Sequence, residues 1–476
     1  VGASAQRSPR RSLSFATQQQ QARSGSDQLK SLSGGAIGDL RIIFKDKAAA
    51  GNMGLTRLVL TSCLLALGGV DAFTSTRALS PALHRARSSS LTRANPVRAA
   101  PTAGLRFWKR DKVAVASAAV AAPPSAPSLK PYIEKLVAGE SLTKEEAKEV
   151  CGAILQGADQ IQVASCLMLM RRNGETPAEV AGFVAAMKEA CVPVAVEGKM
   201  LDIVGTGGDG AHTINISTAA ALLAAACGCK TAKAGNRSVS SQCGSADVLE
   251  ALGISMALTA ENVGECVAQC GMGFMFAPVN HPAMKMVVPI RKALGVRSVF
   301  NILGPLTNAA GAQHVVIGVF QEELIDIMAN SLIEIGNVDH GVVIYGVGLD
   351  EISPLGACSI LEIKNTAAPG EPKVYTKNMM KFDPLDVGIP RCVVEDLRGG
   401  DAKENAALLR EALEKGEHTN AKRDAIVLNA GVGCYVFGLA DSIPGGIDLA
   451  RAALNEGKGL AKLDEWIATT TNLASS

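Results

Sequence analysis

The stretch Lys230–Gly253, KTAKAGNRSVSSQCGSADVLEALG, contains the parts of one β-α unit in a single run. The short strand pattern KTAKAG ends in a turn rich in Gly, Asn, Arg and Ser, and SADVLEALG then has helical spacing. Similar apolar runs alternate with helical stretches elsewhere: LDIV from Leu201, FMFAPV from Phe274, HVVIGVF from His314 and HGVVIYG from His340. Because strands joined by crossover helices build parallel sheets, we expect residues 199–476 to form a large α/β domain with a central, mostly parallel sheet.

The segment before these strands has helix signals instead. TKEE, from Thr143, and TPAE, from Thr176, both have the pattern of a capping box, which satisfies backbone N–H groups at the start of a helix. The proline of TPAE suits the first helical position, and Gly174 suits the end of the preceding helix. We therefore expect residues 128–198 to form a small all-helical domain.

The first 127 residues do not have the pattern of a folded domain. Residues 1–52 lack an initial Met and contain a Gln run, which is typical of a disordered or untranslated extension. The segment 53–72, which begins with Met, has the layout of a secretory signal peptide whose apolar core is too short to span a bilayer. The segment 73–112 has the Arg-, Ser- and Ala-rich composition of a transit peptide, and a Pro/Ala linker follows it.

This arrangement resembles the two-part leader of nuclear-encoded proteins in algae with complex plastids. The resemblance implies a mature protein in the plastid stroma, without a membrane anchor. A mitochondrial leader behind a spurious extension, or a cytoplasmic protein, is the alternative.

Charge and cysteine spacing argue against two other classes of protein. Residues 1–127 carry 18 Lys and Arg against 5 Asp and Glu, whereas residues 128–476 carry 29 against 40. An acidic body is poorly suited to non-specific nucleic-acid binding, which depends on neutralising phosphates. The 12 Cys include no C-x₂-C pair, so we expect buried thiols rather than a zinc site.

A glycine-rich loop is the first candidate for ligand binding. In Asp202–Thr218, DIVGTGGDGAHTINIST, a strand runs into Gly205 to Asp209, and a helix begins near Ser217. Glycines let backbone N–H groups approach an anion, and a helix N-terminus adds a favourable dipole. The loop matches neither G-x-G-x-x-G nor the Walker pattern, so on its own a tight turn without a ligand is also possible.

The turn after Lys233 is the second candidate. Lys233 directly follows a strand and suits a phosphate group, and the turn offers hydroxyl groups before a helix begins. The residues concerned are Gly235, Asn236, Arg237, Ser238, Ser240, Ser241 and Ser245. Two such loops at strand ends predict an anionic ligand larger than one phosphate.

Two further patterns predict a cation and an aromatic acid. GLDEIS, Gly348–Ser353, places Asp350 next to Glu351 after a strand, and paired carboxylates there suit Mg²⁺, although a solvated acidic turn is the alternative. In Phe276–Asn308, His281, Arg291 and Arg297 lie among apolar residues. An Arg beside an apolar slot suits a small aromatic carboxylate, whereas surface salt bridging is the alternative.

Taken together, these motifs resemble the anthranilate phosphoribosyltransferase family over roughly residues 129–476. GTGGD with T-x-NIST, K-x-GNRSVSS with GSADVLEALG, HPAMK with LGPLTN, and GLDEIS occur in the order of the family. The resemblance implies a helical domain, completed by helices near residues 282–300 and hinged to the α/β domain. It also implies a homodimer and a Mg²⁺-dependent transfer of the phosphoribosyl group from phosphoribosyl pyrophosphate to anthranilate.

The resemblance assigns roles to individual residues. Ser217, Asp350 and Glu351 would bind Mg²⁺, and Gly205, Asn236 and Arg291 would contact anthranilate. No residue would act as a nucleophile; Lys233, Asp209, Asp350 and Glu351 would stabilise the transition state. The substrate-binding residues would be Gly205, Gly208, Asp209, Thr213, Asn215, Ser217, Thr218, Lys233, Gly235, Asn236, Arg237, Ser238, Ser240, Ser241, Ser245, His281 and Arg291.

The chain departs from the family pattern at one position. The family usually has His where this chain has Ala234, which implies weaker binding of anthranilate or a different acceptor.

A pyrimidine nucleoside phosphorylase is the nearest alternative function, but the Asp350–Glu351 pair and NIST argue against it. A non-catalytic nucleic-acid-binding relative would need a basic groove, and an inactive scaffold would not need intact metal and diphosphate residues.

Overall fold

The computed structural model describes residues 127–238, 242–417 and 420–475. The predicted leader and the predicted binding residues Ser240 and Ser241 lie outside this described part. Within it, every helix is too short or too polar to cross a lipid bilayer.

Four helices form the first part of the described chain. They are α1 (Lys130–Val137), α2 (Lys144–Leu155), α3 (Gln160–Asn173) and α4 (Pro177–Glu189). Both predicted capping boxes form: Thr143 caps α2 with Glu146, and Thr176 caps α4 with Glu179. Apolar side chains such as Leu167 and Phe183 are fully buried between these helices.

One seven-stranded sheet forms the centre of the remaining chain. Its strands are β1 (Leu201–Gly205), β2 (Thr231–Gly235), β3 (Met272–Phe276), β4 (His314–Gly318), β5 (His340–Tyr345), β6 (Cys358–Asn365) and β7 (Tyr375–Phe382). The order is β3-β2-β1-β4-β5-β6-β7, in which β1 to β5 are parallel and β6 and β7 are antiparallel to their neighbours. The helical first part and this sheet confirm the predicted fold class.

Helices cover the sheet and connect its strands. The helices after β1 are α5 (Ile216–Ala226), α6 (Ser245–Leu252), α7 (Ala260–Cys270), α8 (Ala277–Asn280), α9 (Val288–Leu294), α10 (Leu324–Ile335), α11 (Ala402–Ala412), α12 (Ala421–Phe437), α13 (Ile443–Asn455) and α14 (Lys458–Ser475). Short 3₁₀ turns lie at Pro282–Met286, Val299–Asn301, Gly304–Leu306, Pro384–Val387 and Val394–Leu397. The apolar β1, β4 and β5 are buried on both faces, as expected for a covered parallel sheet.

The segment 282–300 leaves the sheet and packs on the four N-terminal helices. Helix α9 contacts α3, and the 3₁₀ turn Pro282–Met286 contacts α2. The rings of Phe183, on α4, and Phe300 meet edge to face with centroids 5.6 Å apart. The segment 282–300 therefore contacts α2, α3 and α4.

One predicted strand is partly wrong. FMFAPV, Phe274–Val279, was expected to be extended, but the strand ends at Phe276 and Ala277 begins the short helix α8. Pro278 has no backbone N–H to donate to a strand ladder, and it fits the first turn of a helix. The chain therefore turns at the strand end and directs the following residues towards the helical part.

Candidate active site

The candidate site lies at the carboxyl ends of the parallel strands, as expected for ligands of open α/β sheets. The loops after β1 and β2 and the turn after β5 all end at this edge. The sheet thus brings together the three polar motifs that are far apart in the sequence.

The turn that carries Asp350 is packed against three glycines. A Cβ atom on Gly205 would lie 2.1 Å from Asp350 Oδ2, and one on Gly318 would lie 1.5 Å from the Asp350 carbonyl oxygen. A Cβ atom on Gly346 would lie 1.7 Å from the carbonyl oxygen of Glu351. The carboxylates can reach the sheet only because these three residues have no side chain.

The two carboxylates are buried where a cation would compensate them. The Gly207 N–H donates to Asp350 Oδ2 at 2.6 Å, and the Ser217 N–H donates to Glu351 Oε1 at 3.1 Å. Burial, with the negative charge of Asp209, raises the pKa of Asp350 to about 7. Burial and the charge of Asp350 raise the pKa of Glu351 as well.

One carboxylate oxygen of Glu351 is left for a ligand. Glu351 Oε2 is buried and has no hydrogen-bond partner among the described residues. The Ser217 side chain lies close by, because its backbone N–H contacts the other oxygen of Glu351. Hard oxygen ligands of this kind suit Mg²⁺, which prefers carboxylates and substrate phosphates. The three predicted metal-binding residues therefore lie together, and their chemistry fits the ion.

Lys233 supplies a buried positive charge beside them. It lies within β2 (Thr231–Gly235), so the prediction that it directly follows a strand is wrong. Its side chain is 1% exposed, and Nζ donates to the Ile203 carbonyl at 2.7 Å and to Ser217 Oγ at 3.4 Å. Burial lowers the pKa of Lys233, whereas the charges of Asp202, Glu351 and Asp350 oppose that shift. The ammonium group thus lies among three carboxylates.

Asp202 was not among the predicted site residues. It accepts hydrogen bonds from the Ala234 N–H at 3.3 Å and from Asn308 Nδ2 at 2.7 Å. Burial raises its pKa to about 6, and the charge of Lys233 acts in the opposite direction. Its position inside the apolar strand segment LDIV is a signal that could have identified it, because a charge there needs a partner.

In the described part of the turn after β2, the side chain of Arg237 is directed to helix α6. Its guanidinium pairs with Asp247 at 2.9 Å and with Glu250 at 2.8 Å. The Ser238 N–H also contacts Asp247, at 3.0 Å. Arg237 therefore fixes the turn to α6, while Asn236 remains exposed next to the loop of β1.

The hydroxyl groups of Thr218 and Ser245 tie together the helices that follow the two loops. Thr218 Oγ1 and Ser245 Oγ are 3.1 Å apart. Thr218 is in the first turn of α5 and Ser245 is the first residue of α6. The two helix N-termini thus start side by side, which favours an anion between them.

The remaining predicted loop residues lie along the same loop. Gly208 and Asp209 follow β1, and Asp209 Oδ1 accepts from the Ala211 N–H at 3.1 Å. Thr213 forms a backbone bridge with Arg398. Asn215, just before α5, uses its side chain to contact the Cys243 carbonyl at 3.1 Å.

An apolar cavity of about 500 Å³ adjoins the loops. Gly205, Ala234, Gly235, Asn236, Met275, Pro278, His281, Met284, Arg291, Phe300 and Leu303 line it with other residues. Arg291 is partly buried, burial lowers its pKa, and no described residue forms a hydrogen bond or ion pair with its side chain. A guanidinium in an apolar cavity suits a planar carboxylate.

His281 is fixed in the wall of this cavity. Its Nε2 lies 2.9 Å from the Thr307 carbonyl oxygen, which can only accept, so Nε2 carries the proton. Burial lowers the pKa of His281, which favours the neutral ring. The two predicted residues His281 and Arg291 therefore lie in one cavity.

Arg297 has a different environment from Arg291. Its guanidinium donates to the Gly208 carbonyl and stacks on the Phe320 ring, 3.7 Å from the centroid. It thus joins the 282–300 segment to the glycine-rich loop. The sequence alone does not separate the two arginines, because their roles depend on contacts between distant segments.

Two family models match the chain. The a/b domain of the glycosyl transferase family matches residues 197–460, and its helical bundle domain matches residues 130–191. Anthranilate phosphoribosyltransferase from Chlamydia felis is 41% identical over 345 residues, which cover 72% of this chain and 97% of that protein. The enzyme from Methanosarcina acetivorans is 44% identical over 348 residues, covering 73% and 91%.

Solved structures of anthranilate phosphoribosyltransferases are also similar to this chain. The crystal structure of anthranilate phosphoribosyltransferase from Thermus thermophilus is 43% identical, has a TM-score of 0.65, and covers 71% of this chain and 99% of its own. The Saccharomyces cerevisiae enzyme, in complex with phosphoribosyl pyrophosphate and Mg, is 26% identical with a TM-score of 0.65, covering 72% and 98%.

Proposed function

We propose which residues of this chain bind the donor and which bind the acceptor. The premise is that the chain belongs to the glycosyl transferase family and is an anthranilate phosphoribosyltransferase. The enzyme transfers the 5-phosphoribosyl group of phosphoribosyl pyrophosphate to the amine of anthranilate, releases pyrophosphate, and uses Mg²⁺. Two observations carry the division: Glu351 Oε2 is buried without a partner near the charge of Lys233, and Arg291 lines the apolar cavity next to the loops.

The loops of β1 and β2 would bind the donor. The glycine-rich loop and the N-termini of α5 and α6 would face the diphosphate, and Lys233 would add a positive charge. Charge develops on the diphosphate as the bond to the ribose carbon breaks, and fixed donors stabilise it without reorganisation. Ser217, Asp350 and Glu351 would hold Mg²⁺, which would supply further positive charge near the phosphate oxygens.

The apolar cavity would hold the acceptor. Arg291 would pair with the carboxylate, while the apolar wall packs on the ring and directs the amine towards the donor loops. Positioning of this kind replaces a covalent intermediate, so no nucleophile is needed. The weakly basic arylamine can lose its proton after attack, and the neutral His281 need not act as a base.

The direct test uses protein spanning residues 129–476. We expect loss of anthranilate fluorescence when phosphoribosyl pyrophosphate and Mg²⁺ are both present, and none when either is omitted. If the donor binds but anthranilate is not consumed, the acceptor assignment is wrong. Other small aromatic amines would then be assayed.

The two arginines give a matched pair of variants. Arg291→Ala should raise the KM for anthranilate about 10- to 100-fold, on the scale of a lost charge-assisted contact. Its effect on the KM for phosphoribosyl pyrophosphate should be small. Arg297→Ala should show the reverse pattern, since it contacts Gly208. Equal effects of each variant on both KM values would contradict this division.

We propose that Ala234, which stands where the family usually has His, weakens the binding of anthranilate. It lies in the cavity wall, and its N–H contacts the buried Asp202. Ala234→His should lower the KM for anthranilate and leave that for phosphoribosyl pyrophosphate nearly unchanged. An unchanged or raised anthranilate KM in steady-state assays would refute the prediction, and Ala234→Ser serves as the small polar control.

We further propose a homodimer formed through the helical part. Support comes from the large exposed apolar side chains on its helices, Val137 at 68% and Ile161 at 77% exposure. Light scattering after size exclusion should give twice the chain mass, and Ile161→Glu should favour the monomer.

Plastid location is also proposed, on the composition of residues 53–112 alone. Residues 53–128 fused to a fluorescent protein should direct it to the plastid of an alga with complex plastids. Fluorescence in mitochondria would support the alternative leader.

A further inference from the structure

Asn405 lies behind the donor loops, at the start of α11. It is 1% exposed, and both the oxygen and the nitrogen of its side-chain amide form a hydrogen bond. Its Oδ1 accepts from the Gly400 N–H at 2.8 Å, and its Nδ2 donates to Asn215 Oδ1 at 3.0 Å. A Cβ atom on Gly399 would lie 2.3 Å from Asn405 Oδ1, so the neighbouring loop fits closely around this amide.

Asn215 continues the same chain of hydrogen bonds. Although it occupies the position before α5, its side chain does not cap that helix. Its Nδ2 instead donates to the Cys243 carbonyl at 3.1 Å, in the turn before α6. The two amides therefore connect three segments: the loop before α11, the loop after β1 and the turn after β2.

Backbone contacts hold the first two of these segments together along their length. The Ile214 N–H donates to the Leu397 carbonyl at 2.9 Å, and the Gly399 N–H donates to the His212 carbonyl at 3.0 Å. His212 has a left-handed backbone, with φ of 54°, which is uncommon for a residue other than Gly. Such a conformation persists only where the surroundings hold it.

We propose that Asn405 is a positioning residue of the donor site, and that Asn215 acts as its joint to the two phosphate-binding loops. This inference rests on the proposed division of the site. Asn405 does not reach the ligand. Through Asn215 it sets the start of α5, where the Ser217 N–H contacts Glu351, relative to the turn that leads into α6. The acceptor cavity is not lined by either residue.

The amide is required in one orientation. In Asn405→Asp, a carboxylate oxygen would face Asn215 Oδ1, so two acceptors would oppose each other and a negative charge would be added near an anionic ligand. In Asn405→Ala, the Gly400 N–H would lose its partner, and Asn215 Oδ1 would keep only the weak thiol donor Cys243 Sγ at 3.5 Å. An unpaired buried group costs more than the net value of a hydrogen bond.

The test uses the purified full chain and measures donor binding without turnover. Calorimetric titration with phosphoribosyl pyrophosphate and Mg²⁺ should show affinity about 10-fold weaker in Asn405→Ala and weaker still in Asn405→Asp, on the scale of one buried polar contact. The KM for anthranilate should change less than about 2-fold, within experimental scatter of such contacts. Asn365→Ala is the matched control, because Asn365 also accepts backbone N–H bonds but lies at the end of β6, where it pairs with β7.

The outcomes separate the inference from the function on which it rests. If the wild-type protein binds no phosphoribosyl pyrophosphate, the proposed function fails. If the wild type binds phosphoribosyl pyrophosphate and both Asn405 variants bind it as tightly as the wild type, only the positioning role is overturned. A parallel rise in both KM values with a lowered Tm would show a purely structural role.

A double variant decides whether Asn405 acts through Asn215. If it does, Asn215→Ala combined with Asn405→Ala should bind the donor about as weakly as the weaker-binding single variant, because one connection is removed twice. Full additivity of the two losses would show that the residues act independently. The double variant thus tests whether Asn405 acts on donor binding through Asn215.

Discussion

Glu351→Gln is expected to lower kcat/KM by about 10²- to 10³-fold, the scale of losing one group that stabilises charge in a transition state. The substitution keeps the size of the side chain and the acceptor for the Ser217 N–H. It removes the negative charge that makes the buried, unpartnered Oε2 a ligand for a cation. We also expect a higher Mg²⁺ concentration for half-maximal rate, measured by titrating Mg²⁺ at saturating substrates.

Direct metal binding provides the second measurement. Mn²⁺ binding in the presence of phosphoribosyl pyrophosphate, followed by electron paramagnetic resonance, should be weaker in Glu351→Gln than in the wild type. Glu371→Gln is the control, because Glu371 is exposed in the β6–β7 connection. Retention of wild-type metal affinity in Glu351→Gln would remove Glu351 from the metal site.

Lys233→Met should have two separable effects. Loss of the ammonium group beside Ser217 should lower kcat/KM for phosphoribosyl pyrophosphate at least about 10²-fold, as for other preorganised charges. The variant should also lose about 2 kcal/mol of unfolding free energy near pH 8, the cost of a buried group without its partner. Asp202 is that group, since it is buried and the charge of Lys233 opposes the rise that burial causes in its pKa.

The stability loss should depend on pH. Burial raises the pKa of Asp202 above its value in the unfolded chain, so the folded state binds the proton more tightly. Without Lys233 this pKa rises further, and stability should recover relative to wild type as the pH falls from 8 to 5.5. Urea unfolding at both pH values measures the change.

Adding Asp202→Asn separates stability from activity. The double variant Asp202→Asn with Lys233→Met should regain much of the stability near pH 8 but none of the activity. A stability loss that is independent of pH, or that persists in the double variant, would show that Asp202 is not its cause. Poorer packing around the Met side chain would then explain the stability loss.

The fold could be predicted from local signals because these signals agree with the tertiary structure. The capping boxes at Thr143 and Thr176 form as expected, and the apolar runs from Leu201, His314 and His340 become β1, β4 and β5. The strands β6 and β7 were not predicted individually. They are antiparallel, and the polar pattern of β7 reflects its exposed position at the edge of the sheet.

The candidate site could be predicted only in part, for the same physical reason. Strand ends mark where ligands bind, so Lys233, Asp350 and Glu351 could be identified from their positions in the sequence. Residues that act through long-range contacts, such as Asn405 and Asn308, have no local signature. Ser240 and Ser241 lie outside the described residues, and their proposed roles stay predictions.

The close packing of Gly205, Gly318 and Gly346 on the Asp350–Glu351 turn has a consequence for inheritance. Every amino acid that one nucleotide change can substitute for glycine carries a Cβ atom, and that atom would collide with the turn at each of these positions. A missense allele at any of the three should therefore displace the Asp350–Glu351 turn and lower activity. In a natural population these three codons should therefore vary only at their silent third base, whatever the selection on substrate affinity elsewhere in the gene.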